Sequence, residues 1–429
     1  MAFRNYDRKL FIALESTGGT AASITTSTDF IETVNPTFTV TPLMFERQPK
    51  TMSLTPAPMT VPGTSETAGV SLIEMSFGVE LCGPGSTVAA GSRPAFSNLL
   101  LACGLTQANA FKADVSGSWS GTDGVVRNRE GLDVTTYATP ENHALGDQGA
   151  GDDEVWVRSD TDFSGTALVT QTGTASATLS SGTTTQFGVA YQPQSTRSDD
   201  TVASTSATIR LYLDRAGTYI EAKGCRGTFE MQFVHGDRVM IQFTFTGVYS
   251  TYNESGSDPT DFVYNMEVPP AFINAGLEMG KAATTTGNWT GALFNAMTFS
   301  LGNEVTVRED TNSSDGLVSG IITARTPTLT FNPDMTLAHA NIDLWERFLS
   351  GDLTRLRWSV GSTAGNRIDF RVSAAQFTGM TDGERDTVSI LDSTTNLTGG
   401  NYGSSYPTNA GTRTSSTQGL DNEFVICFR

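Results

Sequence analysis

Three histidines, His143, His235 and His339, lie in unrelated contexts, so a histidine-based catalytic or metal site has little to assemble from. Adjacent acids occur at Asp152-Asp153-Glu154 and at Glu309-Asp310. Paired carboxylates of this kind hold calcium, or divide the acid and base roles of glycoside hydrolysis. The competing reading is a solvated charge cluster on a loop, and the polar surroundings favour it. Gly276-Leu-Glu-Met-Gly280-Lys281 lacks both the spacing and the hydroxyl residue of a phosphate loop. GSTAG, residues 361–365, has its serine one position early for a nucleophile elbow. Cys82, Cys103, Cys225 and Cys427 show neither a CxxC pair nor metal-ligand spacing with the histidines, which fits buried free thiols. No catalytic, cofactor or metal residues are assigned. The sequence reads as a protein that is not an enzyme.

The totals agree. The 429 residues carry a net charge of −18, against a surface that neutralises nucleic-acid phosphates. Only five of the 27 basic residues are lysines, and arginine suits fixed, bidentate pairing at protein interfaces. The 43 glycines, with abundant serine and threonine, fit an all-β chain with many turns. MAFRNYDRKLFIAL places charges where a signal peptide needs an apolar stretch, and no apolar run approaches the ~18 residues of a membrane span. The expectation is a soluble chain made in a reducing cytoplasm.

The strongest structural signal is GTFEMQFVHGDRVMIQFTFTGVY, residues 227–249. Strict alternation on both sides of a Gly-Asp turn predicts a long antiparallel hairpin. Setting Phe233 against Val239, Met231 against Ile241 and Phe229 against Phe243 puts all the apolar side chains on one face. Glu230, Gln232, Gln242 and Thr244 occupy the other. A two-stranded hairpin is marginal alone, so it belongs to a larger sheet.

Elsewhere, Phe38–Val40 and Leu43–Phe45 read as a strand region broken by Pro42, followed by a long Pro/Thr-rich loop from Glu46 to Ala68. Val70–Leu81 predicts a strand, and Pro94–Cys103 a short helix stopped by Gly104. Residues 113–200 differ in composition: thirteen acidic against four basic residues supply half the net charge, and strand candidates are weak (154–157, 167–170, 175–179). They read as an inserted, solvent-facing subdomain. Strands resume at Ala207–Leu213 and Thr218–Ala222.

After Tyr249 and a Gly-Lys-Thr linker the order starts again. Met297, Phe299 and Leu301 alternate, Val307–Gly320 is a polar loop, and Ile321–Phe331 is a strand. Asn341 can cap a helix with Leu344, Trp345, Phe348 and Leu349 on one face. Leu356, Trp358 and Val360 match Ile209, Leu211 and Leu213. A second hairpin, 368–377 with 387–391, turns over Thr381-Asp382-Gly383-Glu384. Its apolar face is Ile368, Phe370 and Val372, and its polar face Asp369, Arg371 and Ser373. Strand, long loop, strand, short helix, strand and hairpin thus occur twice, a repeat of pattern rather than of letters. Residues 398–418 are flexible in composition, and DNEFVICFR offers one last strand.

RKLFIALESTGGT, SLIEMSFGVELCG, ATIRLYLDRAG with GCRGTFEMQFVHGDRVMIQFTFTGVYS, VPPAFINAG, and LGNEVTVRED with GIITARTPTLTFNPDM and GSTAGNRIDF together resemble major tail tube proteins of long-tailed, non-contractile bacteriophages. The resemblance covers most of residues 1–112 and 188–395. It implies an all-β fold with short helices: two tandem β-sandwich or half-barrel domains, with an inserted β-rich or loop subdomain. The first domain would comprise 1–112 and 188–260, the insertion 113–187, a linker 261–290, the second domain 291–397, and a tail with a final strand 398–429. It implies a virion protein whose rings stack into the tail tube, the conduit for DNA ejection. With two tandem domains, trimeric pseudo-hexameric rings are favoured over hexamers. Tape measure, tail terminator and tip proteins would be partners, with double-stranded DNA passing transiently, no membrane and no cofactor. Glu230, Gln232, Gln242, Thr244, Asp369, Arg371 and Ser373 would face the lumen, and loops carrying Arg47, Lys50, Glu66, Arg308, Glu309, Asp310 and Asp315 would meet the next ring. The alternative is a carbohydrate-binding or glycan-cleaving tail fibre or adhesion protein. That reading needs a cleft with paired carboxylates and exposed aromatics.

Overall fold

The structure, a computed structural model, describes residues 7–46, 66–85, 93–114, 154–159, 187–193, 205–265, 267–281, 292–313, 316–335, 343–363, 365–398 and 423–428. It is all-β with two short helices. In the first half the strands are β1 (Lys9–Leu14), β2 (Phe30–Ile31), β3 (Val34–Glu46) and β4 (Glu66–Glu80), then helix α1 (Ser97–Ala102). Next come β5 (Leu105–Asp114), β6 (Glu154–Ser159), β7 (Phe187–Pro193), β8 (Ala207–Tyr212), β9 (Tyr219–Val234) and β10 (Met240–Asn253). The second half holds β11 (Glu278–Lys281), β12 (Ala296–Ser300), β13 (Asn303–Glu309), β14 (Leu317–Arg325) and β15 (Thr328–Phe331), then helix α2 (Leu344–Ser350). It ends with β16 (Thr354–Val360), β17 (Ile368–Arg385), β18 (Val388–Leu397) and β19 (Val425–Phe428).

The hairpin β9–β10 has the register its alternation dictates, Met231 opposite Ile241 and Phe229 opposite Phe243. Both of its outer edges are taken. Strand β4 lies along β10 with Phe77 opposite Phe243, and β3 lies along β4 with Phe38 opposite Met75. On β9 the two ends have different neighbours. Residues 219–225 pair with β8, which pairs with β1, whereas residues 230–234 pair with β12 of the second half. One long strand therefore serves two layers.

The second half repeats this plan. Strand β12 pairs with β15, β15 with β18, and β18 with β17, matching β3, β4, β10 and β9. Strand β16 flanks the first part of β17 as β8 flanks β9, and β11 flanks β16 as β1 flanks β8. The region expected to be a linker therefore contributes a strand, because Leu277 and Met279 are buried and carry the backbone into pairing.

The core runs through both halves. Phe245 stacks on Phe77 and Phe243, Phe229 touches Phe243 and Phe299, and Phe233 sits against Trp358 and Phe370. All eight are at most 2 % exposed. Each such ring is worth ~1.5–3 kcal/mol on burial. One carboxylate is buried with them. Glu15 (4 % exposed) accepts from Ser206 Oγ at 2.6 Å, Thr208 Oγ1 at 2.8 Å, and the N–H groups of Gly19 and Gly224, each at 2.8 Å. Four donors offset its desolvation and tie β8 and β9 to the loop after β1. Gly224 is required there: its φ is +61° and a Cβ would meet Ser319 Cα at 2.8 Å.

Several expectations change. The stretch 381–384 is strand, and β17 turns instead at Asp386-Thr387, where φ is +48° and +70°. Consecutive positive φ values suit a two-residue hairpin turn, whose twist matches the flanking strands. Residues 321–331 form two strands, with Thr326 and Pro327 turning the chain between them. The polar loop at 307–320 is the turn and flanks of a hairpin, β13–β14. Helix α2 is capped by Asp343, which accepts from the Glu346 N–H at 3.2 Å, and Gly351 ends it at φ +70°. Asn341 lies outside the described residues. Of that helix's expected apolar face Leu344 is buried, but Trp345 and Leu349 are exposed. In the acidic insertion β6 covers the first weak strand; 167–170 and 175–179 lie outside the described residues.

Phe229→Ala should cost ~3–5 kcal/mol in urea unfolding, since the ring leaves a cavity between two aromatic neighbours. Gln242→Ala, on the opposite face of the same hairpin, should stay within ~0.5 kcal/mol.

Candidate assembly surface

The pairing of β9 with β12 makes one wall from eight strands in the order β3, β4, β10, β9, β12, β15, β18, β17. Because side chains alternate, the registers decide which residues share a face. One cross-strand row runs Gly78, Gln242, Glu230, Ser300, Thr328, Asn396, Gln376. The row beside it runs Glu80, Met240, Gln232, Thr298, Thr330, Thr394, Gly379. A core row, Val79, Ile241, Met231, Phe299, Leu329, Thr395, Phe377, points the other way and is buried throughout. The polar face thus crosses from one half to the other without a break. Hydroxyls and amides dominate it; Ser76 and Thr244 share a hydrogen bond at 3.1 Å, and Gln232 Nε2 donates to Glu230 at 3.0 Å.

Four of the expected lumen-facing residues, Glu230, Gln232, Gln242 and Thr244, lie on this face, Gln232 and Gln242 exposed. Asp369 does not. It is 2 % exposed and paired with Arg367 at 3.2 Å, because the first part of β17 lies between β16 and β19 rather than at the open wall. Arg371 and Ser373 sit in that same part of β17, and their side chains are outside the described ones. The open wall uses the later part of β17, which the supposed turn at 381–384 concealed.

The wall has two ends. Strand β3 pairs with β4 along one side, and among the described residues no strand lies along its other side. Likewise residues 378–385 of β17 pair with β18 alone. Those edges hold the positions that β12 and β9 occupy inside the chain. Pro36 and Pro42 interrupt the donors of β3, a common restraint on an edge strand.

The arm β13–β14 leaves the wall after β12 and lies back against the first half. Asn303 Nδ2 donates to the carbonyls of Cys103 (2.7 Å) and Gly227 (2.9 Å), and Gly224 abuts Ser319. Arg308 and Glu309 are exposed near the arm's tip. Asp310 closes the turn, accepting from the Asn312 N–H at 2.9 Å while its own N–H donates to Gly316. Of the Glu309-Asp310 pair, Asp310 therefore works as turn chemistry, while Glu309 faces solvent. Arg47, Lys50 and Asp315 lie outside the described residues, as does the Glu66 side chain.

Two adjoining clefts open beside α1. One, of about 240 Å³, is lined by Glu32, Glu80, Cys82, Asn265 and Glu267 among others. Burial pushes the Cys82 thiol up to about 11, more than the hydrogen bond from Asn265 offsets. Burial also raises Glu32, and Glu80 is held by Arg238 at 2.6 Å. A protonated thiol with no imidazole nearby among the described residues is a poor nucleophile. Among the described residues no three metal-ligating side chains converge. His235 is exposed in the β9–β10 turn, and His143 and His339 lie outside the described residues.

No protein-family model matches this chain, and no curated protein matches it.

The faces of the wall can be read by thiol labelling at pH 8. Gln242→Cys should react within minutes. Cys82, Cys103 and Cys225 are buried with thiols raised by burial, and Cys427 is buried too, so all four should stay silent until denaturant is added. Equal reactivity of the native thiols would contradict the assignment.

Proposed function

We propose that this chain is a structural subunit that polymerises edge to edge into rings, the rings stacking into a tube of the bacteriophage tail. The observation that carries this reading is the β9–β12 pairing. It joins a four-strand unit head to tail with a second unit of the same pairing order, and leaves one edge of each kind at the ends. Repeating the same join between chains gives a heterologous contact, which closes into a ring or runs on as a filament.

Each chain would contribute eight strands, so three chains would give roughly 24 strands, and at ~4.8 Å per strand a wall roughly 37 Å across before tilt. The polar face then turns to a water-filled lumen and the aromatic core to the protein side. A net charge of −18 and a wall of hydroxyls, amides and scattered carboxylates suit passage of a polyanion, since nothing in such a wall binds phosphate strongly. Tape measure, terminator and tip proteins are the further partners of a protein in this role. The glycan-binding alternative has less behind it: among the described residues Trp358 and most Phe side chains of the strands lie in the core, and Asp310 closes a turn.

The internal join supplies a register for the seam. Phe299 lies opposite Met231 and Ser300 opposite Glu230. Matching the rows Phe38–Met75–Phe245 and Phe299–Leu329–Thr395 places Thr39 of one chain opposite Thr381 of the next. The double variant Thr39→Cys, Thr381→Cys should therefore oxidise to disulfides between chains, giving a covalent ladder that ends at three chains. Each single variant should give none. Intrachain oxidation, or a ladder without an end at three, would contradict the closed seam.

A further inference from the structure

In the first half, the side of β9 away from β8 is covered along residues 219–223 by the tail of β10 itself, Val248–Asn253. In the second half the corresponding side of β17, residues 368–371, is left by β18, which ends at Leu397 opposite Ala375. The place is filled by β19, Ile368 lying opposite Phe428 and Phe370 opposite Ile426. Residues 398–424, 27 in number and rich in Gly, Ser, Thr and Asn, separate the two strands in sequence. A stretch that is continuous in one copy is thus discontinuous in the other.

The returning strand also has a second edge, and it is used. Ile426, Cys427 and Phe428 lie opposite Tyr191, Ala190 and Val189 of β7, whose neighbours are β5 and then β6 at the root of the acidic insertion. Every residue from Phe424 to Phe428 is buried. Phe428 packs edge-on against Phe96 and Tyr191, and Phe424 against Phe299 at 4.9 Å. Glu423 is clamped by Arg325, with oxygens 2.7 and 3.0 Å from two guanidinium nitrogens. The slot thus offers two strand edges, apolar pockets for alternate side chains and a charged stop at one end. Those are the parts of a site that recognises an extended peptide by strand addition.

We propose that the slot between β7 and β17 is a strand-acceptor site and that residues 423–428 are its ligand, a latch that docks as a separate peptide and is exchangeable between copies of this chain. Docking gives the first part of β17 a partner on each side and ties it to the first half. The later part of β17, whose edge the proposed seam uses, is held in line only when the latch is in. Lateral assembly therefore waits on the latch, and this last step rests on the function proposed above. Exchange of an identical strand between copies is a low-cost route to linked protomers.

The test uses the full chain with a protease site placed in residues 401–418 and cut after folding. The released segment should remain bound through gel filtration. A fluorescent peptide of residues 419–429 should then replace it, one per chain, with an anisotropy rise. The Ile426→Asp form of that peptide should compete at least tenfold more weakly. Nicked protein stripped of its segment in mild urea should lose its fast-sedimenting assemblies and regain them on addition of the peptide. Immediate loss of the segment on cutting, or equal competition by the Ile426→Asp peptide, would overturn the acceptor site. Unchanged sedimentation of stripped protein would overturn the control of assembly. Anisotropy reads the slot whether or not tubes form, so full chain that never sediments as assemblies yet captures the peptide supports the site and counts against the tube instead.

Discussion

The backbone ladder between Glu230–Val234 of β9 and Ala296–Ser300 of β12 is the constraint on which the rest depends. It joins segments about sixty residues apart in sequence, and it does so between two edges that would otherwise be open. Side chains on a strand alternate with a period of two, so a one-residue slip here would turn Met297 and Phe299 out to water and bury Thr298. The apolar rows on both sides forbid that slip. The two halves consequently share one core and one polar face, and neither face needs a separate explanation in each half.

The same ladder explains why β9 and β17 are the longest strands, at 16 and 18 residues. Each must serve a closed inner layer with its first part and the open wall with its second. In β9 the second part alternates cleanly, whereas the first is buried on both faces apart from Tyr219 and Lys223. In β17 the first part is covered on both sides, and the second carries Thr381, Asp382, Gly383 and Glu384 into solvent. Asp369 belongs to the covered part, where Arg367 compensates its charge. An alternating Ile-Asp-Phe-Arg-Val pattern looks the same whether its polar face meets water or another layer, so burial there was not legible from the letters.

Much of the plan was legible all the same. The register of the β9–β10 hairpin, the positions of both helices and the doubling of the element order followed from alternation, apolar spacing and glycine stops, all of which are local. The missing information is long-range. Nothing near Phe299 names Met231 as its neighbour, and nothing in DNEFVICFR says that the strand returns beside Ile368. The short β11 was hidden because EMGK is too brief to alternate visibly. The β17 turn was misplaced because Gly383 with flanking acids mimics a turn, whereas the real one uses Asp386 and Thr387 at positive φ. Long-range strand pairing gains its free energy from rows spanning seven strands, and a reading window of a dozen residues contains none of them.

In the proposed assembly one chain is two consecutive units of a wall that continues from chain to chain. Electron microscopy of the purified full chain tests it most directly. Hollow rings or tubes are expected, whose end-on views show six similar densities contributed by three chains, around an open centre lined by the Gln242 face. Uniform single-chain globules at every concentration and salt, with no rings, would contradict it.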